Sequence, residues 1–272
     1  MFRLFVASII LMLNLNANNL HDKIENLIGS ADYKTHKNLI NFIFKDENNF
    51  MINDNINFNL VVKKLQENGL LKLAFEQPKE IIVEFHVNKD PLKSLKMLKE
   101  SLKSLGYYYY FTKSTKYDGE DSLTWTIKLT TEAAIDPLVL SSDLLNKGCR
   151  VLDITKEQND RWIYKINTQN ATIGDTISLI SGERVVLKKP LKPYMIKIEN
   201  AKSIYVVSRI LNNWFPYIVF YDQHLNILNV VKEDKVYRNI RLKVPEGTRY
   251  IKISDLYTLI NIKRGLSVVI KE

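Results

Sequence analysis

Residues 81–106 read IIVEFHVNKDPLKSLKMLKESLKSLG, and residues 123–148 repeat the plan as LTWTIKLTTEAAIDPLVLSSDLLNKG. Each begins as a strand rich in β-branched and aromatic residues, turns at Asp-Pro-Leu into a helix, and stops at glycine. The punctuation is the same in both. Asp90 and Asp136 stand where a carboxylate can accept from free helix N–H groups, and Pro91 and Pro137 stand at the first helical position, where a missing donor costs nothing. Gly106 and Gly148 supply the positive φ that ends a helix.

Strands are expected after each glycine, at 107–116 and 149–156, with the polar YDGED (117–121) joining the halves and a last strand at 161–167 after EQND. The resulting order, βαββαβ plus an extra strand, predicts a ferredoxin-like α/β plait over 79–170, an antiparallel sheet with two helices on one face. Leu92, Leu95, Leu98, Leu102 and Leu105 recur at helical spacing as the core stripe, and Lys93, Lys96, Lys99 and Lys103 form a solvated row beside it. In the run Tyr107 to Phe111, strand alternation puts Tyr108 and Tyr110 on one face, a candidate surface for a partner protein.

Upstream, MFRLFVASIILMLNLNA (1–17) places Arg3 before an apolar run, Leu4 to Leu13, and ends on small Ala17. This is the anatomy of a cleavable signal peptide, and so of a periplasmic protein. The run is too short for a permanent span, and no later stretch is long and apolar enough to be one. Between them, 18–78 is an Asn-rich segment of short helices, about 34–44 and 58–68. Downstream, from about Thr172, helical periodicity stops and nine short β-rich runs alternate with turns, predicting an all-β sandwich over 171–272 and making the chain α+β.

The formal charge of +9 is uneven, because residues 18–170 carry 21 basic and 21 acidic side chains whereas 171–272 carry 17 and 9. A basic domain outside the cytoplasm points to an anionic cell-wall glycan or an envelope protein and away from nucleic acid. Within it, YIVFYDQHLNIL and NIRLKVPEGTRYIKIS resemble jelly-roll sandwiches of the carbohydrate-binding-module or galactose-binding type, carried by Ile218 to Asp222 and Val244 to Ser254. The resemblance implies sugar binding but brings no ligand set, and the turn after Asp222 lacks the usual glycine. The N-terminal part is similar to uncharacterised periplasmic proteins of polar-flagellated Gram-negative bacteria, which implies an address and no activity.

Chemical motifs are sparse. Cys149 stands alone, so no internal disulfide forms, and it lacks a His/Asn constellation for nucleophilic work. His21, His36, His86 and His224 are scattered without ligand spacing, and there is no GxSxG, GxxxxGK or GxGxxG, so no catalytic residue, metal or cofactor is assigned. Glu84 and His86 share a strand face and read as a surface pair on an edge strand; Asp118, Glu120 and Asp121 read as turn residues, with calcium the alternative.

Sugars stack on aromatic rings beside polar groups, and NNWFPY (212–217) is expected to be an exposed loop. The candidate ligand residues are therefore Trp214, Tyr217, Arg238, Arg241 and Arg249. The sequence reads as a non-enzymatic exported binding protein, its α/β part meeting a protein and its basic sandwich an envelope glycan or protein. The alternatives are a structural subunit of an envelope machine, such as a secretion or flagellar-motor scaffold, and a glycan hydrolase.

Overall fold

The computed structural model describes residues 20–52, 55–118, 121–157, 160–174 and 176–272. The predicted signal peptide lies outside the described residues, as do the middles of the YDGED and EQND turns and the side chain of Asp118. The protein has mixed α and β content in several sheets, and it divides into two compact units at Ala171/Thr172.

The first unit opens with α1 (Leu20–Ile28), α2 (Ser30–Thr35) and α3 (Lys37–Ile43). The single helix expected over 34–44 is thus interrupted at His36, with Ile40 and Phe44 buried and Leu39 left exposed. A two-strand ladder, β1 (Met51–Ile52) with β2 (Asn55–Ile56), leads to α4 (Phe58–Glu67), whose first turn is capped by the Asn57 side chain accepting from the Leu60 N–H at 3.3 Å. These helices share one hydrophobic core with the sheet that follows, Leu27, Phe44 and Val61 clustering with Phe85, Trp125 and Tyr164.

That sheet is made of β3 (Ala74–Val87), β4 (Phe111–Asp118), β5 (Ser122–Ala133), β6 (Arg150–Glu157) and β7 (Arg161–Asn167), with α5 (Pro91–Ser104) after β3 and α6 (Pro137–Asn146) after β5. Asp136 caps α6 as expected, accepting from Leu138 N–H at 2.8 Å and Val139 N–H at 3.3 Å. Asp90 does not cap α5: it adopts φ 48°, and no side-chain capping bond forms.

The strand order is β4-β5-β3-β7-β6, and β3 runs parallel to β7, so the sheet is not wholly antiparallel. The last strand is inserted between β3 and β6. Burial explains the choice, because β7 presents Trp162, Tyr164 and Ile166 to the core whereas β6 buries only Ile154 and carries charge at Arg150, Asp153, Lys156 and Glu157. An edge tolerates such a strand and the centre of a sheet does not. Ile81, Val83, Phe85 and Val87 of β3 face the core, where the Phe85 ring stacks 5.6 Å from Trp125 and 5.7 Å from Tyr164; Glu84 and His86 face the other way.

Among the described residues of the second unit, nine strands form two sheets. One, in the order β13-β12-β15-β10-β8, comprises β8 (Thr176–Ser178), β10 (Tyr194–Lys197), β12 (Pro216–Tyr221), β13 (Ile227–Lys232) and β15 (Tyr250–Asp255). The other, β14-β11-β16-β9, comprises β9 (Arg184–Leu187), β11 (Ser203–Ser208), β14 (Asn239–Lys243) and β16 (Leu266–Lys271). Their alternating apolar residues fill one core, Ile196, Phe220 and Ile251 of the first sheet packing with Ile204, Val206 and Val268 of the second. Strand registers place the connections 179–183, 198–202, 222–226 and 244–249 at one end and 188–193, 209–215, 233–238 and 256–265 at the other.

Candidate functional site

The five candidate ligand residues do not converge. Trp214 is wholly buried, its indole N–H donating to the Ser254 carbonyl at 2.9 Å, so it is a core residue and not a platform for a sugar. Removing so large a buried side chain would cost about 3–5 kcal/mol. Tyr217 is half-buried on the outer face of β12 with the Lys252 Nζ 5.2 Å above its ring. Arg241, on β14 of the other sheet, lies 5.4 Å over the ring of Tyr205, its cross-strand partner on β11. Arg238 is at the 209–215 end, its guanidinium 3.4 Å from the Asn212 carbonyl. Arg249 is at the opposite end.

Of the five, Arg249 lines a hollow. An open basin of about 920 Å³ is formed by the 198–202 and 244–249 turns, with Asn200, Lys202, Lys243, Glu246 and Arg249 on its walls. A second hollow of about 470 Å³ shares Asn200 and Arg249 and adds Lys197, Glu199 and Gln223. The turns are shaped for it by positive φ at Asn200 (52°) and Gly247 (79°), and by the Thr248 hydroxyl donating to the Pro245 carbonyl at 2.7 Å.

The electrostatics of the two units differ in degree. In the first unit many charges are answered locally: Lys23 with Asp153 at 2.9 Å, Lys79 with Asp160 at 2.6 Å, Lys96 with Glu100 at 2.7 Å, Lys128 with Glu80 at 2.6 Å, and Lys147 with Asp143. In the second, Lys197, Lys202, Lys243 and Arg249 make no ion pair or side-chain hydrogen bond with a described residue. Two aspartates of this unit are used instead by the backbone. Asp222 accepts from the His224 and Asn226 N–H groups at 2.8 and 2.9 Å, and this holds the turn whose expected glycine is missing, with Leu225 taking φ 68° instead. Buried Asp255 accepts from Phe215 N–H at 2.8 Å, Tyr257 N–H at 2.9 Å and Thr258 N–H at 3.0 Å.

The tyrosine run of the first unit is not a strand before Phe111, so strict alternation fails there. Tyr107 and Tyr110 both turn inward, Tyr110 meeting the Trp125 edge at 5.6 Å, and burial pushes both phenols up. Tyr108, Tyr109 and Phe111 stay exposed. The predicted pair is thereby split, with Tyr108 at the surface and Tyr110 against the core.

Glu84 and His86 are on β3, a central strand, which corrects the edge placement. Glu84 is buried and bonded from three sides: His86 Nε2 at 2.6 Å, the Arg161 guanidinium at 2.6 Å and the Thr126 hydroxyl at 3.1 Å. Burial alone would raise its carboxyl, but the bonds from Arg161, His86 and Thr126 and the Arg161 charge outweigh it and leave the pKa below the usual value. With its oxygens committed, the carboxylate ties β3 to β5 and β7 and is not held ready for proton transfer. Cys149 is buried with Sγ 3.1 Å from the Met97 sulfur, and burial pushes its thiol up to about 11, the opposite of a nucleophile's environment. Among the described residues no group of three metal-ligating side chains occurs. Asp121, from the proposed calcium turn, pairs with Lys89 at 2.9 Å.

No protein-family model, curated protein or solved structure matches this chain. A feature that motif searching did not single out is the loop end at 209–215 and 256–265, where isolated apolar residues sit among cations. Its signal is present in KKPLKP (188–193) and RILNN (209–213), where leucine or isoleucine falls in a turn, outside any strand period.

Proposed function

We propose that this is an exported, non-enzymatic binding protein whose second unit, a jelly-roll β-sandwich, takes an anionic envelope glycan in the basin at Arg249. In the same reading the first unit is a ferredoxin-like plait, extended by the inserted β7 and the N-terminal helices, and meets a protein partner through exposed Tyr108, Tyr109 and Phe111. The observation that carries the reading is the set of unanswered cations, Lys197, Lys202, Lys243 and Arg249, distributed over two open hollows that share Asn200 and Arg249. Asn200, Asn229 and Gln223 supply the amides that fix sugar hydroxyls, and a concave site with a few convergent polar groups is the ordinary form of a ligand site. A lysine-rich surface without a hollow would attract anions with no preference for their shape.

The test is co-sedimentation of the protein with purified cell-wall sacculi at low and high salt. Specific binding persists at high salt and falls at least fivefold for Arg249→Ala with Lys243→Ala, both exposed substitutions that leave the core intact. Binding that salt abolishes, with the double variant behaving as the parent, sinks the glycan reading, because exposed charge attraction fades beyond a Debye length of about 8 Å at physiological salt. Release of soluble sugar fragments during the assay would instead bring forward the hydrolase reading, with Glu246 in the basin and Glu199 in the second hollow as the carboxylates. The exposed aromatics of the first unit favour a second reading, a scaffold subunit held by protein contacts, for which a stable co-purifying envelope protein lost on Tyr109→Ser is the expected result.

A further inference from the structure

We infer that the end of the second unit formed by residues 188–193, 209–215, 233–238 and 256–265 docks on an anionic lipid bilayer, its apolar tips entering the interface and its cations meeting the headgroup phosphates. This surface is at the opposite end from the Arg249 basin, and the inference does not rest on the glycan reading.

The tips are apolar and held in solvent: Leu191 is 92% exposed, Ile210 83%, Ile260 71%, Leu211 70% and Tyr257 64%. Single exposed apolar residues are ordinary, but five on adjoining connections at one end are not. The loops are held from inside by a few polar contacts. Asn212 is buried, donating to the Gly265 carbonyl at 2.8 Å and accepting from Arg264 N–H at 3.0 Å, and Asn213 N–H reaches the Asn261 carbonyl at 3.0 Å. Buried Asp255 pins 256–261 to Phe215 from below, and the Tyr257 ring meets Phe215 edge-on at 5.0 Å. The polar pins fix the loops and the apolar tips point away from them. Leu211 also holds φ 69°, a conformation that a branched side chain adopts at a cost, and strain of that kind collects where function needs it.

The charge around the tips selects the partner. The four connections, KKPLKP, RILNNWF, EDKVYR and LYTLINIKRG, contain eight Lys or Arg and two acidic residues, most of the surplus of the unit. Of the two acids, Glu233 is occupied by the Tyr237 hydroxyl at 2.9 Å. Apolar side chains that sink a few ångströms beneath a ring of cations match an interface whose hydrocarbon lies just under a layer of phosphate. Among the described residues no helix is long and apolar enough to cross a membrane, so attachment through these loops is peripheral.

The experiment places an environment-sensitive nitrobenzoxadiazole label at Ile210→Cys and, separately, at Glu246→Cys on the basin end, in the full chain. Both positions are exposed, and the native Cys149, buried with its thiol pushed up to about 11, stays unlabelled. Vesicles of phosphatidylcholine with and without phosphatidylglycerol are the probe. The expected result is a blue shift and a rise in emission at 210 with phosphatidylglycerol present, quenched by nitroxide-bearing lipid, and no change at 246. The site-specific readout separates this end from the apolar residues 4–13.

Lys263→Ala with Arg264→Ala is expected to weaken partitioning about 25-fold at low salt, roughly fivefold per cation. The inference is overturned by silence at 210, by equal responses at 210 and 246, or by the same response to phosphatidylcholine alone. A signal at 210 that grows with protein concentration without vesicles would mean that a second copy covers this end, which also overturns it.

Discussion

Glu84 shows how much a single side chain's surroundings decide. Its depressed pKa means that the ionised form is favoured by folding, so the stabilisation is present above the unfolded value near 4.3 and is lost as pH falls through the lower, folded value. Glu84→Gln should cost about 1–2 kcal/mol at pH 7, discounted because Arg161 is partly exposed, and the gap from the parent should begin to narrow as pH falls below about 4. Urea unfolding at pH 7 and pH 3.5 checks this, and a gap that stays constant into acid would rule the pairing out. The same residues mark what was legible at this scale. That Glu84 and His86 share a face follows from a period of two, but whether their strand is central depends on residues 161–167 nearly eighty positions away. Trp214 is a similar case, since an aromatic residue beside two asparagines looks like a loop and only the packed core tells inside from outside.

At the scale of elements, the local punctuation carried most of the fold. Gly106 and Gly148 take φ of 92° and 76° as their positions required, and all nine short strands of the second unit form at the runs that alternate. Gly148 has a further constraint: a Cβ there would lie 2.1 Å from the Asn170 carbonyl oxygen, which is backbone and cannot swing aside. Gly148→Ala is therefore expected to cost more than about 2 kcal/mol, the left-handed penalty alone being roughly 1–2, while Gly106→Ala, with open space around its Cβ, pays only that penalty. Thermal unfolding of the two variants side by side measures the difference, and equal losses would refute the clash. What local signals could not supply was the pairing partner of β7. A strand of Trp162, Tyr164 and Ile166 announces its burial but not its neighbours, because register and order are set by long-range competition for the centre of the sheet.

For the whole molecule, the contrast in charge was legible from counting, but its meaning was not. The count distinguishes a neutral first part from a basic second part; only the structure separates cations answered by neighbours from cations left open around the Arg249 basin. The inserted strand has a consequence for how the chain comes to be. Until β7 arrives, the β3 edge from Ile82 to Val87 has no partner on that side, so the sheet is complete only after residue 167 has been made. A chain ending after Glu157 should accordingly aggregate, whereas one ending after Ala171 should stay monodisperse by size-exclusion chromatography, and equal behaviour would mean that β7 is dispensable. A strand laid down first in its sheet and closed last is a seam that stays open until β7 has been made, and during that interval the half-built sheet needs a caretaker that shields its edge without letting the chain settle.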